Sequence, residues 1–140
     1  MVHEVRPSGS FEDALLEALD EVLPEAEAVY LYGSRASGDS RSGSDVDLAV
    51  LAPHPIARDR LARAREQIAE RAGQDVDLVD LIRAPTVLRA QIVSTARLVR
   101  DRHPAHRERF EIYVYSAYAR LNEERRGILE RIRAEGRIHG

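Results

Sequence analysis

Apolar residues recur along this chain at helical spacing in some segments and in short unbroken runs in others. Residues 10–22 carry apolar side chains at helical spacing, and Ser10 can cap that helix. Short runs rich in β-forming residues at 28–32, 46–51 and 76–82 predict three strands. The first half of the chain therefore predicts alternating helices and strands.

Two more helices and an edge strand are predicted between and after these strands. Residues 58–71 are rich in Ala, Arg and Glu, and Gly73 is expected to end their helix. A short helix with Pro85 in its first turn follows the third strand, and Leu98 and Val99 predict an edge strand. The pattern predicts an α+β or α/β layered fold, in which a small mixed β-sheet is backed by helices.

The last part of the chain predicts one long helix that begins at Pro104 and frays or bends near Gly127. Tyr113 of this helix is expected to pack on the sheet. Residues 1–103 would form the main domain, and 104–140 a C-terminal helix that packs on that domain or on a partner. The apolar side of this helix comprises Phe110, Val114, Ala117, Leu121, Ile128 and Ile132.

Composition narrows the classes of protein to which the chain can belong. Its 140 residues suit one domain, and a net charge of -3 with a pI near 6.0 argues against a dedicated nucleic-acid binder. We expect no membrane association, because no apolar run has membrane-spanning length and the first residues lack the apolar core of a signal peptide. The absence of cysteine fits a cytoplasmic location, and the absence of lysine excludes lysine chemistry.

Two aspartates at the start of the second strand are the first candidates for chemistry. Residues two apart in a strand face the same side, so Asp45 and Asp47 would lie about 7 Å apart on one face. Two carboxylates in that arrangement repel each other unless a divalent cation lies between them. Mg²⁺ favours such oxygen ligands together with substrate phosphates.

A third carboxylate is expected from the strand at 76–82. Asp77 would complete a cluster with the first two aspartates if this strand neighbours the second one. Asp75 and Asp80 are the alternatives, and we interpret both as structural or solvated. Period-two alternation puts Asp80 on the face opposite Asp77.

The turn after the first strand predicts a phosphate site. Gly33 and Ser34 end an apolar strand and precede a short helix-prone stretch, so backbone N–H groups and a hydroxyl can point at one spot. Arg35 and Arg41 could add positive charge there. A Gly-Ser pair alone is weak evidence, and its value lies in its spacing to the aspartates.

This spacing carries a resemblance to a known family. Gly33-Ser34, ten residues, then Asp45-Val46-Asp47 resembles the signature of the DNA polymerase beta nucleotidyltransferase superfamily. The flanking residues, including Ser44, are similar to its minimal nucleotidyltransferase branch, and the resemblance runs from about residue 15 to residue 110. It implies a polymerase-beta-like nucleotidyltransferase fold.

The resemblance also implies roles for individual residues. Asp45 and Asp47 would bind two Mg²⁺ ions, and Asp77 would be the third metal ligand and help to deprotonate the attacking hydroxyl. Nucleotide phosphates would be held by Gly33, Ser34, Arg35 and Ser44. The implied reaction is attack of a hydroxyl on the α-phosphate of ATP, with pyrophosphate leaving.

The acceptor is the part that the residues themselves leave open. Members of the minimal branch are often the antitoxins of HEPN/MNT toxin–antitoxin pairs, in which they transfer AMP to a tyrosine of the partner ribonuclease. The resemblance thus implies a cognate HEPN-family toxin as partner, in a hetero-oligomer. Two alternatives stay open: a nucleotidyltransferase for a small molecule of the aminoglycoside type, and a non-catalytic antitoxin that neutralises its partner by binding.

Overall fold

A computed structural model describes residues 10–33 and 45–139, which form four helices and four strands within those ranges. The predicted helix at 10–22 and strands at 28–32 and 46–51 are confirmed, as is the helix that begins at residue 58. The elements in chain order are α1 (Ser10–Val22), β1 (Ala28–Tyr32), β2 (Val46–Leu51), α2 (Arg58–Ala72), β3 (Val76–Asp80), α3 (Thr86–Thr95), β4 (Arg97–Asp101) and α4 (Pro104–His139).

The four strands form one mixed sheet in the order β3-β2-β1-β4. β1 lies antiparallel to both of its neighbours, whereas β2 and β3 are parallel. A parallel pair needs a crossover connection, and α2 supplies it. The topology brings the C-terminal end of β1 to the same edge of the sheet as the N-terminal ends of β2 and β3.

Helices cover both faces of the sheet, which confirms the layered architecture. On one face, α1 and α2 pack on alternate residues of the strands, among them Val29, Leu48 and Val50. On the other face, α3 and the first part of α4 pack on the intervening residues, such as Tyr30 and Ala49. Among the residues that the structure describes, no helix is both long and apolar enough to cross a membrane.

Two predicted strand boundaries differ from the structure. β3 ends at Asp80 and not at residue 82, because the chain turns there: the N–H groups of Arg83 and Ala84 both donate to the Asp80 carbonyl, at 3.1 Å. The predicted edge strand is confirmed and is longer than expected, running over Arg97–Asp101.

The start of the short helix also differs from the prediction. Pro85 lies just before α3 and not within its first turn.

The long C-terminal helix differs from the prediction in two respects. α4 continues through Gly127, so the helix does not fray there; a helical glycine costs about 1 kcal/mol relative to alanine but does not have to end a helix. Tyr113 does not pack on the sheet and is 61% exposed. Val114 and the half-buried Tyr118 make that contact instead.

Candidate functional site

Tyr32, Asp47 and Asp77 form one row across three adjacent strands. Tyr32 is the register partner of Asp47 on β2, and Asp47 is the register partner of Asp77 on β3. Register partners on neighbouring strands face the same side, at a strand spacing of about 4.8 Å. Two carboxylates and a phenol therefore meet at the edge of the sheet where β1 ends and β2 and β3 begin.

The position of Asp47 disfavours its charged form. Burial raises the pKa of its carboxyl group, and the negative charges of Asp77 and then Asp45 raise this pKa further. Asp47 is half-buried, whereas Asp77 and Asp45 are exposed. The site thus places negative charges around a carboxylate that water does not fully solvate. A bound cation would offset this electrostatic repulsion.

Gly33 lies directly against Asp47, in a conformation that would strain a residue with a side chain. Its φ of +74° falls in the left-handed region, which side chains with a Cβ rarely adopt. A Cβ at this position would overlap Asp47 Oδ2 and lie 3.2 Å from Asp47 Cγ. The glycine therefore lets the chain turn while its backbone passes close to the carboxylate.

The remaining predicted phosphate-site residues fall in a segment that the structure does not describe. Ser34, Arg35, Arg41 and Ser44 lie outside the described residues, so their predicted roles stay predictions. Asp45 is the first described residue after that segment and directly precedes β2. The next residue, Val46, donates its N–H to the carbonyl of Asp75 at 3.0 Å. This hydrogen bond links the beginning of β2 to the residue that precedes β3.

The structure separates Asp77 from the two alternative acids on β3. Asp80 is 3% exposed and faces the α1/α2 side of the sheet, where its Oδ2 accepts the N–H of Ile56 at 2.8 Å. Its Oδ1 accepts the N–H of Ile82 at 3.1 Å. Asp75 is exposed and lies before β3 begins. Asp77 is the acid beside Asp47, and Asp80 fixes the loop before α2, as its structural interpretation anticipated.

Asp80→Asn is expected to destabilise the fold by about 1–3 kcal/mol, because an amide offers only one oxygen to two backbone N–H donors. Urea unfolding monitored by circular dichroism measures this loss. Asp75→Asn, the same substitution at an exposed position on the same segment, is expected to change the free energy of unfolding by less than about 0.5 kcal/mol. Equal losses in the two variants would contradict the structural role of Asp80.

The arrangement of the acids bears on metal binding. Within residues 10–33 and 45–139, no three His, Asp or Glu side chains converge closely enough to form a ready-made metal site. The donor set nevertheless suits a divalent cation, since Asp47 and Asp77 supply oxygen ligands, and burial together with the charge of Asp77 raises the pKa of Asp47. Mg²⁺ in such sites also takes oxygens from substrate phosphates and water.

Tyr32 is a residue that the sequence analysis did not assign to the site. Its side chain lies on the same face of the sheet as Asp47 and Asp77. Burial and the neighbouring charges of Asp77 and Asp47 raise the pKa of the phenol to about 12, so it stays protonated at neutral pH. Its one signal in the sequence was its position directly before Gly33, which has no meaning until the strand order is known.

One protein family matches the part of the chain that contains this site. The family model described as "Polymerase beta, Nucleotidyltransferase" matches residues 15–105. That span contains the second half of α1, all four strands and every acid of the row described above. A protein of Shewanella oneidensis named protein adenylyltransferase MntA is 33% identical over 125 residues, covering 88% of each chain.

Solved structures of toxin–antitoxin proteins are also similar to this chain over most of its length. A chain of a toxin–antitoxin crystal structure with AMP-PNP superposes with a TM-score of 0.77 at 30% identity, covering 86% of this chain and 97% of its own length. A chain of the complex between a tri-AMPylated Shewanella oneidensis HEPN toxin and an MNT antitoxin gives a TM-score of 0.73 at 29% identity. That match covers 87% of this chain and 95% of the other.

Proposed function

Because the chain belongs to the polymerase beta nucleotidyltransferase family, we propose that it transfers AMP from ATP to a hydroxyl group of a HEPN-family toxin and acts as that toxin's antitoxin. The observation that carries this proposal is the in-register pair Asp47 and Asp77 beside Gly33. The similarity to an adenylyltransferase and to a complex with an AMPylated toxin supports the choice of acceptor. The resemblance to the minimal branch implies a tyrosine as the accepting residue.

The three aspartates are the residues that would hold Mg²⁺. Asp47 and Asp77 lie side by side, and the charge of Asp45 reaches Asp47. When bound, Mg²⁺ supplies positive charge against the phosphate oxygens and the leaving pyrophosphate. That charge would stabilise the ionised carboxylate of the half-buried Asp47 most, because burial and the neighbouring carboxylates raise its pKa.

The transfer forms one bond and breaks another at the α-phosphorus of ATP. The acceptor oxygen bonds to this phosphorus, and the bond from the phosphorus to the oxygen that bridges to the β-phosphate breaks. Pyrophosphate leaves with the electron pair, and the proton of the acceptor hydroxyl passes to a carboxylate. Asp77 suits that role better than Asp47, because it is exposed at the sheet edge where an acceptor from another protein can approach.

Gly33 and the segment after it would hold the nucleotide. The glycine is exposed at the end of β1 and lets the backbone approach the carboxylates closely. We propose that Ser34, Arg35 and Ser44 contribute a hydroxyl, a positive charge and a second hydroxyl to the phosphates. This assignment follows from the resemblance to the nucleotidyltransferase signature.

The exposed part of α4 supports a state bound to a partner protein. Residues 123–136 are exposed apart from the half-buried Gly127, although Ile128, Leu129 and Ile132 are apolar and 48–58% exposed. A helical segment of this length is marginal in water without packing against another surface. The toxin is the occupant that we propose, so the C-terminal helix would pack on the domain with its first part and on the partner with its last.

Mass spectrometry of a cognate HEPN-family protein tests the proposed function. After incubation with this protein, ATP and Mg²⁺, the toxin is expected to gain the mass of one or more AMP units. ATP with a methylene group between its α- and β-phosphates should give no transfer, because that bond cannot release pyrophosphate. The double variant Asp45→Asn plus Asp47→Asn should abolish the mass gain.

The controls distinguish catalysis from binding. Asp59→Asn alters an exposed acid on α2 and is expected to transfer AMP at the wild-type rate. If the double variant neutralised the toxin as well as the wild type does, the non-catalytic antitoxin would be the correct function. A toxin that gains no AMP in the presence of wild-type protein would also contradict the proposal.

A further inference from the structure

We propose that the exposed half of α4 is an arm that docks the toxin and sets the distance between the toxin and the acids of the site. We call residues 119–136 the arm. This inference rests on the proposed function, since the toxin named there is the protein that the arm binds. It adds a position in space, because the arm extends past the edge of the sheet that carries Asp47 and Asp77.

The first part of α4 runs along β1 toward that edge. Arg107 donates to Asp101 Oδ2 at 2.9 Å, and Asp101 is the register partner of Ala28 at the beginning of β1. One helical turn later, Glu111 Oε1 accepts the hydroxyl of Tyr30, in the middle of that strand, at 3.2 Å. The contacts of α4 therefore advance toward the C-terminal end of β1, where the row of acids lies.

α4 passes the edge of the sheet about five residues after Glu111. Two residues of β1 remain beyond Tyr30, a length of about 6.6 Å, which a helix covers in four or five residues. The burial pattern agrees: among the described side chains of α4, Val114 is the last that is fully buried and Tyr118 the last that packs on the sheet cluster. The arm then continues for about 27 Å.

The carboxylates of Asp47 and Asp77 lie on the side of the sheet that α4 covers. Tyr32 packs on the apolar cluster between the sheet and helices α3 and α4. Asp47 and Asp77 share the face of Tyr32 through the register of the three strands. The acids and the arm therefore flank one corner of the molecule, which a protein reaches when it approaches the edge of the sheet.

The apolar side chains of the arm face the same way as the part of α4 that packs on the sheet. Leu121, Ile128 and Ile132 lie 7, 14 and 18 residues after Val114, which places them within about 40° of its direction. Val114 is fully buried, whereas Ile128 is 48% and Ile132 58% exposed. A protein whose hydroxyl reaches Asp77 comes next to this apolar side, so the acceptor protein is its occupant.

The length of the arm gives it a role beyond affinity. Ile128 lies about 15 Å and Ile132 about 21 Å along the helix from Tyr118. A toxin held there presents a hydroxyl to the acids only if that hydroxyl lies at a matching distance from the docked surface. Since a misplacement of about 1 Å can cost roughly 100-fold in rate, the arm selects which hydroxyl of the toxin receives AMP.

Replacement of two apolar residues tests the docking surface. Ile128→Gln combined with Ile132→Gln keeps good helix formers and is expected to weaken toxin binding by about 10-fold or more in isothermal titration calorimetry. Glu123→Gln combined with Glu130→Gln is the matched control on the opposite, exposed side of the arm, and should bind the toxin like the wild type. Electron paramagnetic resonance of Mn²⁺ with ATP should match the wild type in both variants, because neither alters the acids.

An insertion separates docking from positioning. A second copy of residues 119–125, inserted after Arg125, lengthens the arm by two helical turns. The apolar side then keeps its direction within about 20° but moves about 10.5 Å outward. This variant is expected to bind the toxin with near wild-type affinity and to modify the wild-type acceptor at least about 100-fold more slowly. Mass spectrometry of the digested toxin measures both the rate and the modified residue.

The outcomes separate this proposal from the proposed function. Wild-type toxin affinity in the double isoleucine variant, or AMP transfer at the wild-type rate by the insertion variant, would overturn the proposal and leave the proposed function standing. If the toxin bound through the two isoleucines but gained no AMP from the wild type, the docking surface would stand and the proposed function would fail. A wild-type dimer in analytical ultracentrifugation that Ile128→Gln plus Ile132→Gln dissociates would make a second copy the occupant and overturn the proposal.

Discussion

Asp47→Asn is expected to lower the rate of AMP transfer by about 10³-fold, or roughly 4 kcal/mol of transition-state stabilisation. Asparagine keeps the size of the side chain, so the contact with Gly33 and the register with Asp77 are retained. What disappears is the negative charge that would hold Mg²⁺ beside the phosphates. Mass spectrometry of the toxin over time gives the rate for each variant.

The same variant is expected to be more stable than the wild type at neutral pH. Burial and the charges of Asp77 and Asp45 raise the pKa of Asp47 in the folded state, so the folded protein binds this proton more tightly than the unfolded chain does. The stability of the wild type must then fall as the pH rises from the ordinary carboxyl pKa of about 3.9 through the raised pKa. Asparagine does not titrate and avoids that loss.

Urea unfolding at several pH values measures this effect. Like charges that face each other on neighbouring strands cost roughly 0.2–1 kcal/mol, which is the gain expected for Asp47→Asn at pH 7. The gain should vanish below the ordinary carboxyl pKa, and Mg²⁺ with ATP should stabilise the wild type but not the variant. A less stable Asp47→Asn at pH 7 would show that the carboxylate is already well solvated or paired in the folded protein.

The sequence was sufficient to predict the layers of this fold because each element has a clear local signal. β2 is a continuous apolar run broken only by Asp47, and α1 carries its apolar residues at helical spacing behind Ser10. Boundaries were harder where tertiary contacts decide them. Leu81 and Ile82 continue the apolar pattern of β3, but the chain turns there, and the buried Asp80 accepts the Ile82 N–H.

The candidate site was predictable in part. The spacing from Gly33 to Asp47 predicted the turn and the first two acids, and Asp77 was the predicted third acid, with Asp75 and Asp80 as alternatives. Their ranking depends on the parallel register of β2 and β3, a long-range property of the sheet. Tyr32 was missed for the same reason, because it faces Asp47 only through the register of β1 and β2.

A buried polar cluster under α4 could not be foreseen from the sequence either. Arg107 and Glu111 are each 6% exposed, and the guanidinium donates to both Glu111 oxygens at 3.1 Å and to Asp101 Oδ2 at 2.9 Å. In the sequence, the two residues look like an ordinary exposed i,i+4 pair on a helix. Burial raises the pKa of the Tyr30 phenol, so it stays protonated and donates to Glu111.

Arg107→Met is expected to reduce the free energy of unfolding by about 3–5 kcal/mol, because it leaves the Glu111 and Asp101 carboxylates without their cation. Arg63→Met is the matched control, since Arg63 also pairs with an acid four residues away on a helix. In that pair both side chains are more than 70% exposed, so less than about 1 kcal/mol should be lost. Urea unfolding compares the two, and Arg107→Met combined with Glu111→Leu should recover part of the loss, because it removes one uncompensated charge. Equal losses for Arg107→Met and Arg63→Met would show that the cluster does not anchor α4 to the sheet.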